Sequence, residues 1–307
     1  MLFVAGAAML FASKGLFAKA LYQRGVGFEL LVTVRAVLAV PLFAWIALRG
    51  SALSNKAQRS PVAGAPAPRL RTPAVLAAVI AGVVGYYVGA LVDFWALTLI
   101  DASIERVLLF SYPAMVVLIS SFLTRRAPET RVVAAMFVTY VGIFFAMGGI
   151  DLAELRANLF GASLVLISAL TTAIYFLIGE RYTHELGSTR FAAIAMISAA
   201  VLLAVHFVAF RSVVELAVLG ATDWTLLAIL GVACMFVPGL LQAEGMRRVG
   251  AQRAAIGSTV GPPTTIVLAA VFFDERLTAW QIAGSALIVG SVLILSLGKS
   301  RGDASAT

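Results

Sequence analysis

Apolar stretches of about 20 residues recur along the whole of this 307-residue chain, and that is the length an α-helix needs to cross about 30 Å of hydrocarbon. No other feature constrains the fold so tightly. The runs are continuous rather than alternating, so they describe helices and not the strands of a barrel, and an open sheet would leave backbone groups unbonded in lipid. With 61% hydrophobic and 12% charged residues, a soluble fold would precipitate. The chain is expected to be an all-α polytopic membrane protein.

Hydropathy and helix breakers predict ten transmembrane helices, at approximately 2–21, 28–48, 73–98, 102–123, 131–149, 159–179, 190–210, 223–245, 250–272 and 278–298. The start, Met1-Leu-Phe-Val-Ala, lacks a basic region, so the first run reads as a retained span and not a cleaved signal. Orientation follows from the bias of Lys and Arg toward cytoplasmic loops. With the N-terminus inside, the inner loops carry Arg49, Lys56, Arg59, Arg69, Arg71, Arg125, Arg126, Arg131, Arg181, Arg190, Arg247, Arg248, Arg253, Lys299 and Arg301. The outer loops carry only Arg24, Arg106, Arg156, Arg211 and Arg276. Both termini and the proline-containing segment 50–72 are therefore expected on the cytoplasmic side. The net charge of +8 is absorbed by the same bias, and nucleic acid is set aside as a partner.

A shift of 149 residues places Ala102 on Ala251, Pro113 on Pro262, Ala134 on Ala283 and Gly149 on Gly298. Five spans in each half is an odd number, so the second half must enter the membrane inverted. The loops agree: Arg125, Arg126 and Arg131 face inside, whereas Asp274 and Glu275 occupy the equivalent turn and face outside. Two inverted five-helix repeats are an architecture of secondary transporters, with the solute near the midplane between the halves.

Ala12-Ser13-Lys14-Gly15, Thr33-Val34-Arg35, Ala96-Leu97, Pro113 and the run Asp274-Glu275-Arg276-Leu277-Thr278-Ala279-Trp280-Gln281-Ile282-Ala283-Gly284 resemble the EamA-type transporters of the drug/metabolite transporter superfamily. The resemblance covers nearly the whole chain, and its strongest part is the last helix pair. In the first half, Arg125-Arg126-Ala127-Pro128 replaces the Gly-Glu-x-Leu turn usual in the family. The resemblance implies a first repeat over 1–149, a second over 158–298, a cytoplasmic tail over 299–307, and a place in the cell (inner) membrane. It also implies outward movement of a small organic metabolite or drug-like solute, without naming the solute. A homo-oligomer stays open, and the bilayer is the other partner.

Charged groups inside a membrane are costly, so those that remain mark a binding site or its internal ion pairs. Lys14 and Arg35 lie at similar depth, Lys14 about 10 Å below the outer end of its helix at 1.5 Å per residue. Asp93 and Glu105 sit somewhat shallower in the same leaflet. Three readings stand side by side: Lys14–Asp93 or Arg35–Glu105 pair to lower the cost of burial, the cations touch solute, or they snorkel toward the interface. Tyr86, Tyr87, Trp95, Tyr112 and Phe11 supply aromatic surface that suits an organic solute. Tyr175, Thr171, Thr172, Gln242, Ser258, Thr259, Thr264 and Thr265 make a mildly polar wall from the second half. Pro113 and Pro262, taken as mid-helix, remove a backbone hydrogen bond each and predict matched helix kinks. Gly85 and Gly89, and Gly257 and Gly261, are small-residue faces for helix packing. Lys19 reads as a snorkelling residue, Glu244 as an interfacial partner of Arg247 and Arg248, and His206 as a packed residue or a proton carrier.

No cofactor or metal is expected: two histidines and one cysteine form no ligand set at metal spacing, and a lone cysteine rules out an internal disulfide. An integral membrane enzyme is disfavoured, because no aspartate-rich pair or His-Glu-x-x-His appears and Ser258 has no evident base. A channel or structural protein is the alternative left standing, although no acidic ring or glycine-rich filter is visible.

Overall fold

The computed structural model describes residues 1–57, 72–100, 108–146, 159–264 and 279–297, together with Glu105 and Val267. Among the described residues there are helices, turns and short connections but no strand. α1 (Leu2–Ala12) and α2 (Lys14–Gln23) follow one another across Ser13, whose hydroxyl donates back to the Leu10 carbonyl at 2.8 Å. α3 is Phe28–Ala57. α4 (Thr72–Gly82) passes through a π-helical stretch, Val83–Val88, into α5 (Gly89–Ala96). α6 (Tyr112–Thr124) and α7 (Thr130–Ala146) close the first half. The second half contains α8 (Leu159–Leu186), α9 (Ser188–Phe210), a 3-10 turn at Val213–Val218, and α10 (Ala221–Gly231). A second π-helical stretch, Val232–Phe236, leads into α11 (Val237–Gly257), which ends in the 3-10 turn Ser258–Val260, and α12 is Ala279–Leu297.

Among the described residues, six stretches are long and apolar enough to cross a membrane: Leu2–Gln23, Phe28–Arg49, Thr72–Ala96, Leu159–Leu186, Ser188–Phe210 and Ala221–Thr264. Shorter apolar helices occur at Tyr112–Thr124, Thr130–Phe145 and Ile282–Leu293. Ala221–Thr264 is 44 residues, about twice what a bilayer needs, and it is broken where Gly250 takes φ 78°. That break falls at the first residue of the segment expected at 250–272, just after the one expected at 223–245. The expected starts at 102 and 278, the ends at 149, 272 and 298, most of segment 50–72, the turn at Asp274 and Glu275, and the tail 299–307 lie outside the described residues.

Helices outlast the apolar runs that announced them. α3 continues to Ala57 rather than stopping at 48, and α8 to Leu186 rather than 179. The residues added to α8 are polar but compatible with a helix, and the chain turns only at Gly187, with φ 80°. Hydropathy marks where lipid ends; glycine marks where the helix ends. Pro113 is a second correction: it stands in the first turn of α6, not in mid-helix, where its missing N–H costs no intrahelical bond. Pro262 likewise follows the 3-10 turn Ser258–Val260. Pro41 of α3, by contrast, stands inside its helix.

Packing relies on small residues, because lipid offers no hydrophobic drive for helices to associate and close approach must supply the contacts. A Cβ on Gly231 would fall 2.7 Å from the Arg35 carbonyl oxygen, so α10 lies directly on the α3 backbone. α7 and α12 pack along one another, with Gly142 against the Gly284 carbonyl and Thr139 and Ser291 hydroxyls 2.7 Å apart. α3 packs along α9, and α1 along α11. Large apolar side chains such as Phe122, Phe137, Val205 and Val208 are exposed, the surface expected of a protein whose solvent there is lipid.

Candidate functional site

A cavity of about 150 Å³ lies among α1, α2, α3, α5, α6, α8 and α11, with both π-helical stretches on its wall. Residues from each half line it: Lys14, Arg35, Tyr86, Asp93 and Tyr112 from the first, Thr172, Tyr175, Gln242 and Ser258 from the second.

Lys14 opens α2 immediately after the Ser13 irregularity, and its Nζ lies 2.6 Å from Asp93 Oδ2. The lysine side chain is 12% exposed and the aspartate 4%. This is one of the two ion pairs weighed from the sequence. Arg35 behaves differently. It is 5% exposed, its Cζ stands 4.4 Å from the centre of the Phe94 ring, and its Nε meets no hydrogen-bond partner. Lys14 Nζ approaches the same ring at 5.3 Å, so Phe94 lies against both cations and gives each some cation–π stabilisation.

The aromatic wall is ordered by its own contacts. Tyr86 and Tyr175 meet edge to face with ring centres 4.9 Å apart, and Tyr112 packs on Phe176 at 5.5 Å. The Tyr86 hydroxyl donates to Gln242 Oε1 at 3.1 Å, a bond between the two halves. Tyr112 donates to the Ala255 carbonyl at 3.3 Å. The Tyr175 hydroxyl, on a side chain 2% exposed, has no hydrogen-bond partner among the described residues. Ser168 and Ser258 spend their hydroxyls on the carbonyls of Gly89 and Ala254.

Six of the seven candidates read from the sequence (Lys14, Arg35, Asp93, Tyr86, Tyr112 and Tyr175) are thus brought together around one cavity. Trp95 is not. It is 40% exposed and packs on Phe28 and Phe160 away from the cavity, because α5 turns it about 100° from Phe94. Thr171 bonds to the Ser168 carbonyl, and Thr259 and Thr264 bond to carbonyls of their own turns, while Thr265 lies outside the described residues. Tyr87 and His206 form a separate pair, with Tyr87 Oη 3.0 Å from His206 Nδ1, off the cavity wall. Glu244 accepts from Ser188, Arg247 and Arg248 in a cluster of its own. Glu105 is fully buried and acts on Tyr22, as Asp93 and Arg35 do, but it does not line the cavity.

Sequence reading passed over Phe94, Phe110, Ser168 and Met235 as wall residues. Spacing would have found two of them: Ser168, Thr172 and Tyr175 follow i, i+4, i+7, and Tyr86, Ala90 and Phe94 follow i, i+4, i+8. Gly85 and Gly89 were read as packing, and they also line the cavity. Among the described residues no group of three His, Cys, Asp or Glu side chains is placed to hold a metal.

A family model described as "EamA-like transporter family" matches residues 1–148 and again 159–297. An uncharacterized transporter of Bacillus subtilis, YcbK, is 31% identical over 279 residues, which is 89% of this chain and 85% of that protein. An uncharacterized transporter of Archaeoglobus fulgidus is 29% identical over 63% of this chain and 67% of its own. A solved crystal structure superimposes with a TM-score of 0.74 at 18% identity over 96% of each chain, a likeness of fold alone.

Proposed function

The chain belongs to the EamA-like transporter family, and from that membership we propose that it carries a small organic solute across the membrane by alternating access through the cavity between its halves. One observation carries the reading: the cavity wall is shared, with Lys14, Arg35 and Asp93 on one side and Thr172, Tyr175 and Gln242 on the other. A site so shared changes shape whenever the halves rock against each other.

The proposed architecture is ten spans in two inverted repeats, 1–149 and 158–298. The two π-helical stretches support it. Val83 plus 149 residues is position 232, and the second stretch begins at Val232. Thr130 plus 149 is 279, where α12 begins, and α7 and α12 pack together as counterparts. π-Helical turns interrupt the regular bonding of a helix and recur at functional positions, so a matched pair on the cavity wall suits the bending elements of such a mechanism, a role first assigned to Pro113 and Pro262 from the sequence. The fifteen-to-five distribution of loop cations supports cytoplasmic termini in a cell (inner) membrane. Outward direction rests on the family resemblance. The cavity volume favours a metabolite over a drug-sized solute, whose pockets run to about 300–1,000 Å³.

Purified full chain in lipid vesicles tests this. Solute flux should saturate and should be stimulated by solute on the far side; flux that rises linearly without stimulation would belong to a pore.

A further inference from the structure

Two buried polar groups on the cavity wall are left unsatisfied by the protein, and they come from opposite halves. Arg35 Nε and the Tyr175 hydroxyl each lack a hydrogen-bond partner among the described residues, at 5% and 2% exposure. A guanidinium only donates, and it stays charged in proteins. Asp93, the carboxylate on the same wall, acts on Arg35 as well as on Lys14, but one carboxylate between two buried cations leaves a charge whose burial costs more than one cation–π contact with Phe94 returns. Lys14 does not share this position, because Asp93 already holds it at 2.6 Å. The charged side chains lining the cavity are therefore Lys14 and Arg35 against Asp93, one positive charge in excess.

We propose that the solute is a small organic monoanion whose carboxylate is bound by Arg35, with the Tyr175 hydroxyl as a second donor and the Tyr86, Phe94 and Tyr112 rings around its apolar body. The inference rests on the transporter reading above and names its substrate class. A guanidinium matches a carboxylate in a bidentate fork. A phosphate monoester presents the same fork but carries nearly two charges at neutral pH, which one excess cation leaves half compensated in a low-dielectric cavity. A cationic solute would place like charge beside Arg35.

The test uses four probes of one shape with the detergent-purified full chain: phenylacetate, phenylacetamide, phenethylammonium and phenyl phosphate. Phenylacetate should raise the apparent melting temperature in a saturable way, since a ligand that prefers the folded state stabilises it, and the other three should not. Arg35→Gln should weaken the phenylacetate response about ten- to hundredfold, the worth of a hydrogen bond to a charged group. Without probe, Arg35→Gln should melt at the wild-type temperature or above it, because the one charge in excess on the cavity wall has been removed; a structural arginine would give a clear fall. Tyr175→Phe keeps the ring and should weaken the response several-fold, so the proposal does not depend on one variant. No shift with phenylacetate, an equal shift with phenylacetamide or phenethylammonium, or a larger one with phenyl phosphate would each overturn it. Flux of the same probes in vesicles separates the two readings: phenylacetate binding without saturable flux fails the transporter and keeps the site, whereas saturable flux of phenethylammonium alone keeps the transporter and fails the anion.

Discussion

Lys14 Nζ and Asp93 Oδ2 stand 2.6 Å apart, with 12% and 4% of their side chains exposed, in a chain with only 12% charged residues. Each partner's burial is offset by the other, and Asp93 acts on Arg35 as well. Lys14→Met removes the cation at nearly constant length and leaves the aspartate buried without it, a loss of about 3–5 kcal/mol. The double change Lys14→Met with Asp93→Leu should regain most of that loss, since both charges are then gone. Chemical denaturation of the purified protein measures both. A Lys14→Met variant as stable as wild type would show that the pair contributes nothing.

The glycines beside the cavity set how closely the halves approach. A Cβ on Gly89 would lie 2.5 Å from Thr171 Oγ1, so Gly89→Ala should push α5 from α8 and cost about 1–3 kcal/mol. Thr171→Ala in the same chain removes the obstructing oxygen and should recover stability. Failure of the second change to rescue the first would place the strain elsewhere.

Two ion pairs tie the halves together near one end of the bundle. Arg24 bonds Asp223, and Arg211 bonds Glu29. The Arg24 side chain is 46% exposed, so the pair adds little stability, yet the halves must separate there if access alternates. Cysteines at positions 24 and 223, in a Cys234→Ser background, joined by a short thiol cross-linker should abolish transport at least tenfold, with recovery on reduction. Unchanged flux in the cross-linked protein would mean this end does not open.

The proposed cytoplasmic placement of the α3 end is tested in cells. Lys56→Cys in the same Cys234→Ser background should resist an impermeant maleimide in intact cells and react after permeabilisation. Labelling in intact cells would reverse the orientation.

What the sequence made legible follows from what lipid punishes. Charges and long apolar runs are expensive to misplace, so the helices and the residues Lys14, Arg35 and Asp93 could be read directly. Helix ends could not, because Glu180 to Leu186 extend α8 past its apolar run at no cost to the helix. The contact of Arg35 with the Phe94 ring was equally hidden, because depth in the membrane does not say which ring a cation faces. Trp95 and Phe94 are adjacent aromatics, and only the rotation of α5 decides which one faces the cavity. The two π-helical stretches left no sequence mark, since Val83–Val88 and Val232–Phe236 share their position in the chain but scarcely their composition.

The central claim is a cavity open in turn to each side of the membrane. Thr172 lines it from α8, and Thr172→Cys in the Cys234→Ser background reports its access. An impermeant thiol reagent should label position 172 in right-side-out and in inside-out vesicles, and cross-linking positions 24 and 223 should abolish labelling from one side while preserving it from the other. Labelling from one side only, or from both sides regardless of the cross-link, would contradict alternating access.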